Sequence, residues 1–288
     1  MRQFNKITII GVGLIGGSIG LAVKKQHLAK EVMGVFRRKS TIKKALKRKA
    51  VDTATMNIRE GVKDADLIVL ASPVYTIPVL ALEAIRYARP CAIITDVGST
   101  KAWLVKRIER SLGRGRKRIS FVGSHPMAGS DHASVEFARS DLMQGSPCIV
   151  TKTGKTDPEA LAKIVGFWKA LGAKVAVMSP ESHDRAVSLV SHLPHIVAFS
   201  VAGVVPPAML RYAAEGFRDT TRVAASDPKL WADIFLTNRR EILKACRMFE
   251  SYYKSLLKSL SSGDYSKTVK ILKKAKLNRD KFIYERQA

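Results

Sequence analysis

A glycine-rich turn between a strand and a helix is the sequence feature that most constrains the fold of this chain. The strand-like run Ile7 to Ile10 leads directly into Gly11-Val12-Gly13-Leu14-Ile15-Gly16, and apolar residues then recur at helical spacing. In such a turn the first glycine permits the tight bend, the second lets the backbone approach a pyrophosphate, and the third lets the helix pack closely on the strand. Unpaired N–H groups at the helix N-terminus attract phosphates, so the pattern predicts a dinucleotide-binding domain. The predicted cofactor contacts here are Gly11, Gly13, Leu14, Ile15 and Gly16.

The end of the second strand bears on the choice of cofactor. An NAD-binding domain usually has Asp or Glu about 20 residues beyond the glycines, where it accepts hydrogen bonds from the ribose 2′-hydroxyl. Here Phe36 stands at that place, followed by Arg37 and Arg38. Guanidinium groups bind phosphate through two parallel hydrogen bonds, which favours NADP. The two arginines also fit an ordinary basic surface, so NAD stays open. We place Ser72, which follows the strand-like run Leu67 to Ala71, at the cofactor as well.

Alternating patterns predict two domains. Up to residue 178, short apolar runs such as Val32 to Phe36 alternate with segments of helical period, which is typical of an α/β fold with a doubly wound, mainly parallel sheet of the Rossmann type. After Ser179-Pro180 only helical patterns follow. We therefore predict a dinucleotide-binding domain over 1–178 and an all-helical substrate and dimerisation domain over 179–288. The predicted helices carry more apolar surface than so small a domain can bury, so a homodimer is expected.

The cysteines and the apolar runs bear on the cellular compartment. The chain has 3 Cys, far apart and without a C-x-x-C pair, so no disulfide framework is indicated and a reducing, cytoplasmic location is expected. The N-terminus shows no signal-peptide pattern, and no apolar run is read as approaching the ~20 residues that cross a bilayer. No membrane partner is therefore expected.

The charge of the chain raises the question of a polyanionic partner. The formal net charge is +26 at pH 7, and its basic residues concentrate in Lys24 to Lys49, Lys101 to Arg118 and Arg239 to Arg286. Such a field attracts polyanions. However, these stretches lack interleaved aromatics, zinc-finger spacing and an RNP-like strand. Solvated basic helix faces are therefore favoured over a nucleic-acid partner.

Three further segments are dense in reactive side chains. Residues 96–101 (DVGSTK) and 123–130 (GSHPMAGS) each follow a strand-like run, and residues 191–195 (SHLPH) lie within a helical pattern. Ligands of an open α/β sheet bind beyond the carboxyl ends of the strands. Ser99 and His125 are therefore expected where a nicotinamide meets a substrate. No third metal ligand accompanies His192 and His195, so a metal site is not expected.

Taken in order, these segments resemble the prephenate and arogenate dehydrogenases. The shared motifs are GVGLIGGS, DVGSTK, GSHPMAGS, SHLPH and GFRDTTRVAASDPKLW, spread over residues 11–231. The resemblance implies an NAD(P)-dependent oxidoreductase of tyrosine biosynthesis. Such an enzyme oxidises the ring carbinol of prephenate, passes the hydride to nicotinamide and releases the ring carboxylate as CO₂, which leaves 4-hydroxyphenylpyruvate. Aromatisation of the ring supplies the thermodynamic drive.

The resemblance also implies roles for particular residues. His125 corresponds to the histidine that hydrogen-bonds the ring hydroxyl and accepts its proton, for which a neutral imidazole is suited at neutral pH. Ser99 corresponds to a serine that holds that histidine, the hydroxyl and the nicotinamide in register. Arg222 corresponds to the arginine that binds the ring carboxylate. His192 and His195 correspond to groups that face the substrate's side-chain carboxylate, with His195 the preferred contact.

Two kinds of alternative stay open. Arogenate carries an amino group where prephenate carries a keto group, and a cationic or hydrogen-bond-donating His195 would favour the all-anionic prephenate. A β-hydroxyacid dehydrogenase shares the two-domain plan but typically has a catalytic lysine on its helical side, and the HPMAG segment argues against it. A non-catalytic nucleotide-binding protein is supported only by the charge of +26, because the fold itself does not fix a function. His183 receives no role from these patterns.

Overall fold

Six parallel strands form the main sheet of the computed structural model, which describes residues 3–112, 118–129 and 134–287. The strands are β1 (Phe4–Ile10), β2 (Ala29–Val35), β3 (Thr53–Thr55), β4 (Leu67–Leu70), β5 (Ile93–Asp96) and β6 (Ser120–Val122). Their order in the sheet is β3-β2-β1-β4-β5-β6, and every pairing is parallel. The predicted Rossmann-type sheet is thereby confirmed. The order reverses between β1 and β4, so this type of sheet binds its ligands beyond the carboxyl ends of these two strands.

A second, smaller sheet carries the histidine strand. It consists of β7 (Ser124–Pro126), β8 (Pro147–Thr151) and β9 (Lys174–Met178), with β7 antiparallel to β8 and β8 parallel to β9. The chain passes from β6 to β7 through Gly123 alone, and the carbonyl of Gly123 accepts a hydrogen bond from the backbone N–H of Thr151 (2.8 Å). The apolar runs up to residue 178 predict that the residues of β9 belong to the main sheet. They pair with β8 instead, because the chain has already left the main sheet after β6.

Twelve α-helices accompany these strands in the described ranges. They are α1 (Leu14–Lys25), α2 (Lys39–Lys47), α3 (Ile58–Val62), α4 (Ile77–Tyr87), α5 (Ala102–Leu112), α6 (Pro158–Ala170), α7 (Pro180–Val187), α8 (Leu193–Val204), α9 (Glu215–Thr221), α10 (Pro228–Thr237), α11 (Arg239–Ser261) and α12 (Tyr265–Gln287). Short 3₁₀ turns occupy 135–137, 207–212 and 222–225. No strand is described beyond residue 178, as the sequence predicts.

A π-helical turn over Ser188–His192 joins α7 to α8. Pro194 follows it in the first turn of α8. Proline has no N–H to offer to the carbonyl four residues earlier, and its ring crowds that carbonyl, so the helix must widen or break near it. The extra residue in the wide turn sets the direction of the side chains that follow, among them His192 and His195.

The helical segment Pro180–Val204 is longer and more apolar than the sequence reading allowed. It has the length and composition of a helix that could cross a membrane, and 22% of its most apolar stretch is buried in the structure. Residues 186–210 contain no Asp, Glu, Lys or Arg. The statement that no apolar run approaches bilayer-spanning length is therefore wrong. Interspersed serines, histidines and Pro194 divide the run into pieces that look shorter than the helix they form.

The described chain divides into two compact units, residues 1–239 and residues 240–288. The predicted domain boundary at 178/179 lies inside the first unit. Residues 180–239 join that unit because α7 packs on α5 and β8, and because the Thr100 hydroxyl donates a hydrogen bond to Thr237 (2.9 Å) between two buried side chains. The division at residue 178 stays a prediction about function rather than about packing.

Candidate active site

The glycine turn has the geometry that a bound pyrophosphate requires. Gly11 has φ +93°, and a Cβ at this position would lie 2.4 Å from the carbonyl oxygen of Ala71. A Cβ on Gly16 would lie 2.2 Å from the carbonyl oxygen of Gly11. Gly13 is the N-cap of α1, and no side chain caps that helix terminus. The first N–H groups of α1 therefore keep their capacity to bind an anion.

The two residues after the turn differ in exposure. Leu14 is buried and Ile15 is half-buried at the start of α1. At the end of β4, the half-buried Ser72 accepts a hydrogen bond from the Thr76 hydroxyl (3.0 Å). These placements are compatible with the predicted cofactor contacts, which stay predictions.

The position that follows β2 lacks the carboxylate common in NAD-binding domains. Phe36 is 5% exposed and belongs to the core beneath α1 and α2. Arg37 and Arg38 are exposed directly after it, and Arg38 is the N-cap of α2. No acidic residue lies in the first turn of α2. This edge can therefore accept a phosphate without a repelling charge.

A buried ion pair organises the loop between β5 and α5. Lys101 and Asp96 are both fully buried, and Lys101 Nζ lies 2.6 Å from Asp96 Oδ2. Lys101 also donates to the carbonyl of Gly98 (2.8 Å). Asp96 accepts hydrogen bonds from the backbone N–H groups of Gly98 (2.7 Å) and Ser124 (3.1 Å). The pair thus ties the Ser99 loop to the strand that carries His125.

His125 is the buried imidazole at the centre of the candidate site. It lies on β7 opposite Ile149 and is 8% exposed. Burial lowers the pKa of His125 well below its ordinary value, and the nearby His183, Lys101 and His192 lower it further. The ring is therefore neutral at physiological pH and can accept a proton. Ser99 is half-buried in the neighbouring loop, and among the described residues its hydroxyl makes no hydrogen bond, so its positioning role stays a prediction.

His183, which sequence reasoning left without a role, contacts His125 directly. His183 Nε2 lies 2.8 Å from His125 Nδ1, and His183 Nδ1 lies 2.8 Å from Asp184 Oδ1. The side chains of His183 and Asp184 are both buried on α7. Burial lowers the pKa of His183 to about 2, with a smaller contribution from Lys101. The only sequence signal for this pair is a His-Asp dipeptide in the first turns of a helix, which is too common to have found it.

His192 presents an unpartnered donor inside the same cluster. Its ring is 1% exposed, and Nδ1 lies 3.1 Å from the side-chain amide nitrogen of Asn238. That amide nitrogen also donates to the carbonyl oxygen of Asp184 (2.8 Å), which fixes it as a donor, so His192 Nδ1 accepts. The neutral ring therefore carries its proton on Nε2, which has no hydrogen-bond partner among the described residues. A buried N–H without a protein partner is uncommon.

His195 lies beside Trp231 and Arg222. Its half-buried ring stacks on Trp231 at 3.4 Å between centroids, and its Nδ1 donates to the carbonyl of Ser191 (3.0 Å). Burial lowers the pKa of His195, and the positive charge of Arg222 lowers it further. The neutral ring therefore offers an accepting Nε2. Arg222 itself is exposed at the start of a 3₁₀ turn.

The structure thus brings His125, His192, His195 and Arg222 into one region, and their predicted roles stay predictions. It adds Asp184 and Asn238, whose side chains hydrogen-bond His183 and His192, and Lys101, whose backbone N–H donates to Asp184. Ser130, the last residue of the histidine motif, lies outside the described residues. In the part of the chain that the structure describes, no group of three or more His, Cys, Asp or Glu side chains could hold a metal ion.

Comparison with protein families gives two matches that together span most of the chain. A family model described as the nucleotide-binding domain of prephenate dehydrogenase matches residues 19–177. A second, described as the dimerization domain of prephenate dehydrogenase, matches residues 179–274. The two matches meet where the helical part of the chain begins.

Individual relatives give the same result. The prephenate dehydrogenase of Bacillus subtilis is 39% identical over 82% of this chain, and the chain spans 65% of that relative's length. The cyclohexadienyl dehydrogenase of Zymomonas mobilis is 33% identical over 92% of each chain. Among solved structures, Aquifex aeolicus prephenate dehydrogenase in complex with hydroxyphenyl propionate and NAD+ superimposes with a TM-score of 0.89 at 33% identity, over 96% of this chain and 98% of that one. Synechocystis arogenate dehydrogenase gives a TM-score of 0.81 at 30% identity, over 96% and 99%.

Proposed function

The chain belongs to the prephenate dehydrogenase family, and on that premise we propose that it catalyses the NAD(P)-dependent oxidative decarboxylation of prephenate to 4-hydroxyphenylpyruvate. The observation that carries the proposal is the buried, neutral His125 beside the loop that follows β5 of a dinucleotide-binding sheet. A general base must be unprotonated at the working pH, and burial keeps His125 in that form. The relatives named prephenate dehydrogenase support the choice of substrate.

The proposed reaction begins with a proton transfer within the chain's own site. His125 accepts the proton of the ring hydroxyl while the carbinol carbon loses a hydride. The bound nicotinamide dinucleotide supplies the hydride acceptor. The C–C bond to the ring carboxylate then breaks, its electron pair completes the aromatic ring, and CO₂ leaves. Ser99 is proposed to hold the hydroxyl near His125, and closing the site to water strengthens these hydrogen bonds.

The glycine turn fits the pyrophosphate of the cofactor. A Cβ on Gly11 or Gly16 would collide with main-chain atoms at 2.4 and 2.2 Å, which leaves glycine as the residue that lets these segments approach each other. We propose that Gly13, Leu14 and Ile15 present the N-terminus of α1 to the phosphates and that Ser72 lies at the same edge of the sheet.

We favour NADP over NAD as the cofactor. The exposed Arg37 and Arg38 follow a buried phenylalanine where NAD-binding domains usually have a carboxylate. Two guanidinium groups provide the hydrogen-bond geometry that a 2′-phosphate accepts. NAD is the alternative, and the Aquifex aeolicus relative was solved with NAD+.

The substrate's two carboxylates are assigned to the helical side of the site. Arg222 is proposed to bind the ring carboxylate, because a planar guanidinium matches a planar carboxylate. His192 is proposed to donate its orphaned Nε2–H to the substrate's side chain, next to His195. The stacking of His195 on Trp231 holds its ring in one orientation.

Arogenate is the second candidate substrate, and one observation favours it. In its neutral form His195 is a hydrogen-bond acceptor at Nε2, because Nδ1–H is used by Ser191. An accepting imidazole suits the ammonium of arogenate, whereas a donor suits the keto acid of prephenate. His192 supplies that donor from the buried side, so the site combines features for both acids.

The experiment that tests the proposal is a steady-state assay of the purified protein with each acid and each cofactor, followed at the nicotinamide absorbance. We expect the highest kcat/KM with prephenate and NADP. A preference for arogenate would indicate that the hydrogen-bond-accepting His195 selects the substrate. A preference for NAD would remove the proposed role of Arg37 and Arg38. Failure of all four pairings would contradict the proposed activity.

We also propose that the protein is a cytoplasmic homodimer. The description of the second family model as a dimerization domain supports the dimer, and so do the exposed apolar side chains of the helical segment, among them Val190 and Val204. Burying such a surface against a second copy removes it from water. The three cysteines are unpaired, which suits a reducing compartment.

A further inference from the structure

His183 is a fully buried histidine whose two ring nitrogens both have partners. On one side Nε2 lies 2.8 Å from His125 Nδ1, and on the other Nδ1 lies 2.8 Å from Asp184 Oδ1. Its exposure is 0%, so no water competes for these contacts. The arrangement is a linear chain of hydrogen bonds that ends at the proposed general base.

The carboxylate of Asp184, at the far end of this series of hydrogen bonds, accepts from two backbone N–H groups. The backbone N–H of Lys101 donates to Asp184 Oδ1 (2.7 Å), and that of Ala102 donates to Oδ2 (2.9 Å). These donors form the N-terminus of α5, where the helix dipole favours a negative charge. Burial raises the pKa of Asp184, whereas the two backbone donors and the Lys101 charge lower it. We assign Asp184 as the ionised carboxylate, because both of its oxygens face hydrogen-bond donors.

The direction of each hydrogen bond follows from that anion. A carboxylate only accepts, so His183 Nδ1 must carry a proton and donate it. A neutral imidazole has one proton, which leaves His183 Nε2 as an acceptor. His125 Nδ1 must then be the donor, and the lone pair of His125 lies on Nε2.

We propose that His183 and Asp184 are positioning residues for His125, an inference that rests on the proposed function. They fix His125 in the Nδ1–H tautomer and so leave its Nε2 free to take the substrate's hydroxyl proton. The same chain stabilises the imidazolium that forms, because its Nδ1–H already points at an acceptor. His183 touches neither substrate nor cofactor in this scheme.

The surroundings of His125 make the preset tautomer necessary. The charged and titratable groups near His125 are Lys101 before α5, His183 on α7, His192 on the π-helical turn and Cys148 on β8, and Asp184 lies behind His183. Burial raises the pKa of the Cys148 thiol, which keeps it neutral. Lys101 and the buried histidines all disfavour a second proton on His125 in the resting enzyme. The base therefore stays neutral, and only its tautomer decides whether it can accept a proton from the substrate side.

The test uses ¹⁵N NMR of the full-length protein labelled at histidine, with His125 assigned by loss of its signals in His125→Asn. We expect wild-type His125 to be protonated at Nδ1 and bare at Nε2 from pH 6 to 8. His183→Leu removes the acceptor and should move the proton to Nε2, with a kcat lower by roughly 10²-fold and an unchanged KM. His183→Gln keeps both an acceptor and a donor and should restore the tautomer and most of kcat.

The control is Val187→Ala, which shortens another fully buried side chain of α7 without touching a hydrogen bond. It should lower stability and leave both the tautomer and kcat as in wild type. The proposed positioning role of His183 and Asp184 is overturned if wild-type His125 carries its proton on Nε2, or if His183→Leu retains wild-type kcat. Because the NMR measurement needs no turnover, it tests the tautomer of His125 separately from the proposed reaction. Should His183→Leu fail to fold, the wild-type and His183→Gln spectra decide the question.

Discussion

Replacing Asp96 by asparagine is expected to be among the most destabilising single changes in this fold. Lys101 and Asp96 are both 0% exposed, and their charges lie 2.6 Å apart. Removing one partner of a buried pair leaves the other charge without compensation, which costs about 3–5 kcal/mol. The amide nitrogen introduced by asparagine also faces one of two donors, the backbone N–H of Gly98 or that of Ser124. No small adjustment of the loop relieves both problems.

The magnitude translates into a clear thermal shift. For a cooperative unit of this size, each kcal/mol lowers Tm by about 2–4 °C, so Asp96→Asn should lower Tm by roughly 6 to 20 °C. All three tryptophans lie in residues 1–239, and their fluorescence reports the unfolding of that unit. The matched control is Lys44→Met, which breaks the half-exposed pair with Glu136 and should leave Tm close to that of the wild type, because exposed ion pairs contribute little to stability. Equal Tm values for Asp96→Asn and the control would refute the reasoning.

The reciprocal variant Lys101→Met should show a pH dependence of known sign. Burial raises the pKa of Asp96, and Lys101 is the main group that opposes this rise. Without Lys101 the folded-state pKa of Asp96 moves further above its unfolded value of about 3.9. A raised carboxyl pKa contributes stability below the unfolded value and loses it as pH rises through the folded value. The deficit of Lys101→Met relative to wild type should therefore grow as pH rises above the unfolded-state pKa of about 3.9. A deficit that shrinks over this range would contradict the assignment.

Three further outcomes concern binding and catalysis. Gly11→Ala places a Cβ 2.4 Å from the carbonyl oxygen of Ala71 at φ +93°, so it should weaken cofactor binding by at least about tenfold in a fluorescence titration; unaltered affinity would remove the glycine turn from the cofactor site. His125→Asn should lower kcat by roughly 10²-fold or more, and full turnover would exclude it as the base. Arg222→Gln should mainly raise KM for the acid substrate, and a kcat loss at constant KM would argue against carboxylate binding.

Features that depend on neighbouring residues could be predicted from the sequence. The glycine turn is defined by a few consecutive residues, and the alternation of apolar runs with helical segments predicts the parallel sheet because each strand is buried on both faces. The placement of His125 beyond a strand follows from the same topology. The strand pairing of β7, β8 and β9 could not be read in this way, because the three-residue strands β6 and β7, joined only by Gly123, look like one segment.

Features that depend on distant residues could not be predicted. His183 meets His125 across 58 residues of sequence, and Asp184 meets the backbone of Lys101 across 83. Asn238 lies between α10 and α11, in a stretch where the sequence shows only a helical pattern. Nothing in a single sequence distinguishes such buried polar partners from the many polar residues that face water.

These distant contacts share one physical consequence, which is that the helical segment 179–239 is built into the candidate site by buried hydrogen bonds. Asp184 binds the N-terminus of α5, Asn238 binds both Asp184 and His192, and Thr237 accepts from Thr100. Two of these contacts join residues 179–239 to the start of α5 or the loop before it. The other two join Asn238 to α7 and to the π-helical turn within the same segment. The base on β7 can keep a fixed tautomer only while α7 stays docked on α5, so the order of the helical segment and the readiness of His125 are coupled through the same buried hydrogen bonds.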